Sequence, residues 1–219
     1  MSTAREPVLR ASHLGISFGG LKAVDDFNLE IGESELIGLI GPNGAGKTTV
    51  FNLLTGVYQP TEGAFYVCGE NMAGKKPHQV VASGVARTFQ NIRLFKKLTV
   101  LENVKVAMNR TMKYSVAQAL LRGGRYWAEE KETDARARAL LRMVHLEEKA
   151  AYVAENLPYG QQRRLEIARA LATGMKVLLL DEPAAGMNPT ETAELLDIIN
   201  DIRSQFHISV LLIEHDMSL

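Results

Sequence analysis

Between an apolar run, Leu36-Ile-Gly-Leu-Ile40, and a helix-like segment that opens near Lys47 lies Gly41-Pro-Asn-Gly-Ala-Gly-Lys-Thr48, which fits the pattern G-x-x-x-x-G-K-[ST]. A strand that feeds a helix through such a loop suits one task, holding phosphate. The glycines let the backbone curl round phosphate oxygens with its N–H groups inward, and the helix start adds the positive end of its dipole. Lys47 supplies a mobile charge for the β- and γ-phosphates, and Thr48 a hydroxyl for a magnesium ion. Gly41, Pro42, Asn43, Gly44, Ala45, Gly46, Lys47, Thr48 and Thr49 are therefore the expected nucleotide cradle.

A second apolar run, Val177-Leu-Leu-Leu180, ends in Asp181-Glu182, and Ile208-Ser-Val-Leu-Leu-Ile213 forms a third. Runs without alternation are the pattern of strands buried on both faces of a parallel sheet. Each adjoins a helix-type segment, so the core is expected to be α/β. Asp181 is placed to hold the metal's water shell and Glu182 to polarise an attacking water. The helix before the third strand is announced by Asn188 as cap, Pro189 at the first helical position and Glu191 completing a capping box. Leu195, Ile198, Ile199 and Ile202 then form its apolar stripe.

The early region, Val8 to Val67, reads as antiparallel strands, with turns expected at Gly19-Gly20, Asp25-Asp26, Gly32 and Thr61-Glu-Gly63. Residues from about Asn91 to Asn156 carry dense charge around a helical spacing of Leu140, Leu141 and Val144. They are expected to form a mostly helical insertion broken at Gly123-Gly124. Twenty-five Lys and Arg balance twenty-five Asp and Glu, which argues against bulk nucleic acid as the main partner. Cys68 is the only cysteine, so no internal disulfide or cysteine-built zinc site is possible. No run approaches the roughly 20 apolar residues of a bilayer span, and Met1 to Pro7 lacks the apolar stretch of a secretory signal.

With these motifs in this order, the sequence resembles the ATP-binding subunit of ABC transporters from Phe18 to Asp216. The resemblance implies a P-loop NTPase fold: a RecA-like, mostly parallel sheet flanked by helices, an N-terminal antiparallel β part and a helical insertion. It implies one domain over 1–219, with a nucleotide-binding core from 1–90 plus 157–219 and a helical signature part from 91–156. It makes Phe18 the aromatic that stacks on adenine. Gln90, in Arg87-Thr-Phe-Gln-Asn91, becomes the glutamine that reaches the metal beside Thr48 and Asp181. His215 becomes the switch histidine at the γ-phosphate. Leu157, Pro158, Tyr159, Gly160 and Gln161 match the signature motif, and Asn188 the D-loop; both act on a nucleotide held by the opposite subunit. Lys47, Gln90, Glu182 and His215 form the implied catalytic set, with ATP and Mg²⁺ bound.

Thr88-Phe-Gln-Asn-Ile-Arg-Leu-Phe95 and Glu182-Pro-Ala-Ala-Gly-Met-Asn-Pro189 narrow the likeness to importers of branched-chain amino acids. In that family the ATPase pairs with a second, different ATPase, two membrane permeases and an external solute-binding protein. A homodimer is the other arrangement, and the location implied is the cytoplasmic face of the cell membrane. Ile92, Leu94 and Phe95 are the expected permease contacts. Pro158 and Tyr159 stand where the family carries serine and glycine, so the ATP site that uses this signature is expected to turn over slowly. The family continues past the switch histidine with further closing elements, and the sequence stops at Leu219, so these are expected to be absent. The alternative reading is an ATP sensor, or an ABC-type ATPase acting on nucleic acid or ribosomes.

Overall fold

The computed structural model describes residues 6–108 and 124–214. In chain order the elements are β1 (Leu9–Phe18), β2 (Leu21–Ile31), β3 (Leu36–Ile40), α1 (Lys47–Leu54), β4 (Glu62–Val67), β5 (Glu70–Asn71), α2 (Pro77–Ala82) and β6 (Val85–Arg87). There follow α3 (Val100–Met108), α4 (Gly124–Met143), α5 (Tyr159–Leu171), β7 (Val177–Asp181), α6 (Pro189–Phe206) and β8 (Ser209–Glu214). They form two compact units. One comprises the described residues of Met1–Gln90, Met175–Ala185 and Ile199–Leu219, the other those of Asn91–Gly174 and Gly186–Ile198.

The first unit holds both sheets. One is antiparallel, in the order β2-β1-β4-β5. Its first hairpin turns on Gly19 and Gly20, both at positive φ, with Phe18 paired to Leu21. Two consecutive left-handed residues match the twist of the flanking strands, which is why a Gly-Gly pair serves here. Asp25-Asp26 is not a turn but lies inside β2. Asp26 sits at φ +49 and the pairing slips between Leu14↔Phe27 and Ile16↔Val24, so the aspartates mark a bulge. Nor is Thr61-Glu-Gly63 a turn throughout, since Glu62 and Gly63 open β4.

The other sheet is parallel, β3-β8-β7-β6, and carries the nucleotide motifs. All of β7 and all of β8 up to Ile213 are buried, as continuous apolar runs require. Val177, Leu179, Leu211 and Ile213 share one core with Phe51 and Leu54 of α1 and with Leu9, Leu14 and Phe65 of the antiparallel sheet. Full burial of a side chain such as Phe51 contributes about 1.5–3 kcal/mol. Strand β3 departs from expectation. Among the described residues it lies at the sheet edge, paired with β8 alone, and Ile40 is 47% exposed. Its apolar run is read correctly as a strand, but an edge position leaves part of each face open.

The second unit is helical in the described part of the insertion, α3, α4 and two short 3-10 turns, and it also contains α5. Leu140, Leu141 and Val144 are buried, and α4 begins at Gly124; Gly123 lies outside the described residues. Helix α3 opens on Thr99-Val-Leu-Glu102, a capping box. Thr99 N donates to Glu102 Oε2 (2.7 Å), and Glu102 N to Thr99 Oγ1 (3.2 Å). The backbone donor at Thr99, then its hydroxyl, holds the Glu102 carboxyl below its ordinary pKa. Helix α6 begins at Pro189 under the expected cap: Glu191 N donates to Asn188 Oδ1 (2.9 Å) and Asn188 N to Glu191 Oε2 (3.2 Å). Its stripe from Leu195 to Ile202 is buried. Among the described residues no helix is long and apolar enough to cross a membrane.

Candidate functional site

Parallel pairing decides where the chemistry collects. Strands β3 and β7 flank β8 and run the same way, so the loop after Ile40 and the carboxylates after Leu180 leave from the same end of the sheet. Open α/β sheets bind ligands there. A cavity of about 690 Å³ opens at that end, floored by Asn43 through Thr49, with Gln90 and Glu182 on its wall.

The loop keeps its shape through two glycines. Gly44 and Gly46 hold φ of +83 and +84, and a Cβ on Gly46 would stand 2.7 Å from the Ala23 carbonyl oxygen. Any larger residue there must displace backbone. Gly46 caps α1 without a side-chain acceptor, and the first turn carries no acidic residue. The N–H groups at this helix start therefore meet no competing carboxylate of their own turn, the arrangement that favours an anion. Lys47 is buried although charged, because it folds across its own loop. Its Nζ donates to the carbonyl oxygens of Gly41 and of Pro42, the latter at 3.0 Å. Phosphate oxygens, being acceptors too, can replace these carbonyls as partners of the ammonium.

Glu182 follows β7 directly and adopts φ +47, a left-handed conformation that is uncommon for a residue with a side chain. Strain of this kind costs about 1–3 kcal/mol and collects where function fixes a side chain's direction. Gln90 Nε2 donates to Glu182 Oε2 at 3.0 Å, so the glutamine and the glutamate meet at the cavity wall. Asp181 does not line the cavity. It is 4% exposed at the end of β7, where Arg87 donates to its Oδ2 at 2.6 Å. Phe18 is 45% exposed at the end of β1 and meets Tyr58 edge-on, ring centroids 5.3 Å apart. His215 lies outside the described residues.

In the helical unit, Pro158 precedes the first turn of α5, Tyr159 is exposed and Gly160 buried. A Cβ on Gly160 would approach Glu191 Oε1 to 3.2 Å, so the glycine lets the start of α5 lie close to the first turn of α6. Leu157 accepts from Gln162, and Gln161 accepts from Lys149 Nζ at 2.7 Å. Phe95 is 48% exposed, whereas Ile92 and Leu94 are half-buried.

Three residues that line the cavity, and two in the network at Asp181, lay beyond the sequence reading. Leu21, Lys22 and Ala23 line it from the start of β2. Their signal was present, since they follow the Gly-Gly hairpin after Phe18. Lys22 Nζ donates to the carboxylates of Asp25 and Glu62, and these hydrogen bonds raise its pKa. Arg87 and Asn52 have no local signal at all; the pairing of β6 with β7 brings Arg87 to Asp181, and Arg87 donates in turn to Asn52 on α1.

A family model described as ABC transporter matches residues 24–185. The chain belongs to the ABC transporter family. It is 48% identical over 213 residues to the high-affinity branched-chain amino acid transport ATP-binding protein BraF of Pseudomonas aeruginosa, covering 97% of this chain and 84% of that one. To the protein of the same description, LivG, of Escherichia coli it is 46% identical, over 98% and 84%. The ADP conformation of MJ1267, an ATP-binding cassette of an ABC transporter, superposes with a TM-score of 0.82 at 30% identity, over 97% and 82%. This ABC transporter chain is thus an ATP-binding ATPase with the α/β P-loop fold expected of it. The relatives speak for transport and lend no support to an ATP sensor or a nucleic-acid ATPase.

Proposed function

We propose that the chain is the ATP-hydrolysing subunit that powers an importer of branched-chain amino acids. The observation that carries this reading is the convergence of Lys47, Thr48, Gln90 and Glu182 on one cavity. The transport names of BraF and LivG support the choice of solute.

In this reading the loop N–H groups of Gly44 to Thr49 and Lys47 Nζ receive the β- and γ-phosphate oxygens. Phe18, braced by Tyr58, takes the adenine face, a contact of about 1–3 kcal/mol for base–aromatic stacking. Thr48, Gln90 and Asp181 are the residues that would hold Mg²⁺. The donor set fits: hydroxyl, amide and carboxylate are hard oxygen ligands, and the first turn of α1 offers no acid to draw the ion away from the phosphates. When bound, the ion neutralises charge on the β- and γ-oxygens. Glu182 then orients a water and accepts its proton, with Gln90 fixing the direction of the carboxylate.

Leu157 through Gln161, with Asn188, serve the nucleotide of a partner ATPase across a head-to-tail dimer. The helix start at Gly160 supplies the dipole there, and Pro158 lacks an N–H to give. The favoured partner is a second, different ATPase rather than a copy of this chain. Two permeases and an external solute-binding protein complete the assembly, with this subunit peripheral on the cytoplasmic face of the membrane and Phe95 toward the permease. His215 is assigned the γ-phosphate. The test is reconstitution in vesicles with the permease and ATPase chains that co-purify. ATPase activity should rise when leucine-loaded binding protein is added outside. Stimulation by an unrelated solute, with leucine inert, would overturn the assignment.

A further inference from the structure

The two halves of the magnesium site sit on different elements. Thr48 is in the first turn of α1, and Asp181 ends β7. Their separation must be held to a fraction of an ångström for both to reach one metal shell. Arg87, at the end of β6, joins Asp181 to α1. Its NH2 donates to Asp181 Oδ2 at 2.6 Å and its NH1 to Asn52 Oδ1 at 2.7 Å, and both charged side chains of the pair are 6% exposed. Asn52 follows Thr48 by four residues, one helical turn along the same face of α1. The guanidinium is packed by Phe51 and Phe89, its carbon 5.4 and 5.0 Å from the ring centroids. Phe89 is the residue before Gln90, so the same arginine also steadies the base of that segment.

We infer that Arg87 is a positioning residue whose planar fork sets α1 and the end of β7 in register, and with them Thr48 and Asp181. This rests on the magnesium reading given above. One feature favours a bridge over a simple counter-ion: the fork divides between two acceptors on two elements instead of closing bidentately on one carboxylate. Arg87 takes one carboxylate oxygen of Asp181, Oδ2, and so fixes the plane of that carboxylate at the end of β7.

Lysine cannot replace such a fork, because a point charge reaches only one of the two acceptors. The test is the affinity for trinitrophenyl-ATP with Mg²⁺ and with EDTA, measured on the full chain and on Arg87→Lys and Asn52→Ala, each with a thermal melt. Asn52→Ala leaves the buried ion pair intact and so guards against a failure to fold. Both variants should lose about tenfold of the Mg²⁺-linked gain in affinity, the effect of one charge-assisted hydrogen bond, while metal-free affinity stays within about twofold. An unchanged Mg²⁺-linked gain, or an equal fall with EDTA, would overturn the inference and leave Arg87 a packing residue. If the unaltered chain showed no Mg²⁺ linkage, the metal-site reading itself would fall, and the inference with it.

Discussion

At the scale of single residues the site works by restricting freedom. Gly46 is irreplaceable because the Ala23 carbonyl occupies the space of a Cβ, and Glu182 is held in a left-handed conformation that aims its carboxylate. Glu182→Gln keeps the shape of the side chain and its reach to Gln90 but removes the proton acceptor. Turnover should fall about 10²–10⁴-fold while ATP affinity is retained, as read by single-turnover hydrolysis beside equilibrium binding. Turnover at the parent rate would mean that another group handles the water. That Lys47, Thr48 and Glu182 would meet at one cavity was legible because each belongs to a short motif at the end of a strand. Arg87 was not. An arginine three residues before Gln90 looks like any other until β6 is laid against β7, and its role is a matter of long-range contact.

At the scale of elements, pattern and capping carried most of the reading. Runs without alternation gave β7 and β8, and the Asn188 box gave the start of α6, because both signals act within a few residues. Errors arose where neighbours decided the outcome. The Asp25-Asp26 pair was a bulge rather than a turn because β1 continues to pair on both sides of it. Strand β3 was less buried than its composition suggests because among the described residues it pairs on one side only, with β8. The box at α3 makes a direct prediction. Thr99→Ala removes the hydroxyl that receives Glu102 N, and it should lower stability by about 1 kcal/mol in urea unfolding. No change in the midpoint would show that tertiary contacts, such as Val100 N on the Tyr152 carbonyl, hold the helix start without the cap.

At the scale of the whole molecule, one unit holds the phosphate loop, Gln90 and Glu182, and the other presents the start of α5 and Phe95. This division suits a motor in which one chain both binds its own nucleotide and serves another's. Every part of that account depends on the cavity at the carboxyl end of the parallel sheet taking a metal-bound triphosphate. The most direct test is calorimetric titration of the unaltered chain and Lys47→Ala with Mg-ATP. The unaltered chain should bind one equivalent, and the variant should lose at least about tenfold in affinity, since the buried charge serving the phosphates is gone. Equal affinity in the two proteins, or no binding by a folded chain, would contradict the account.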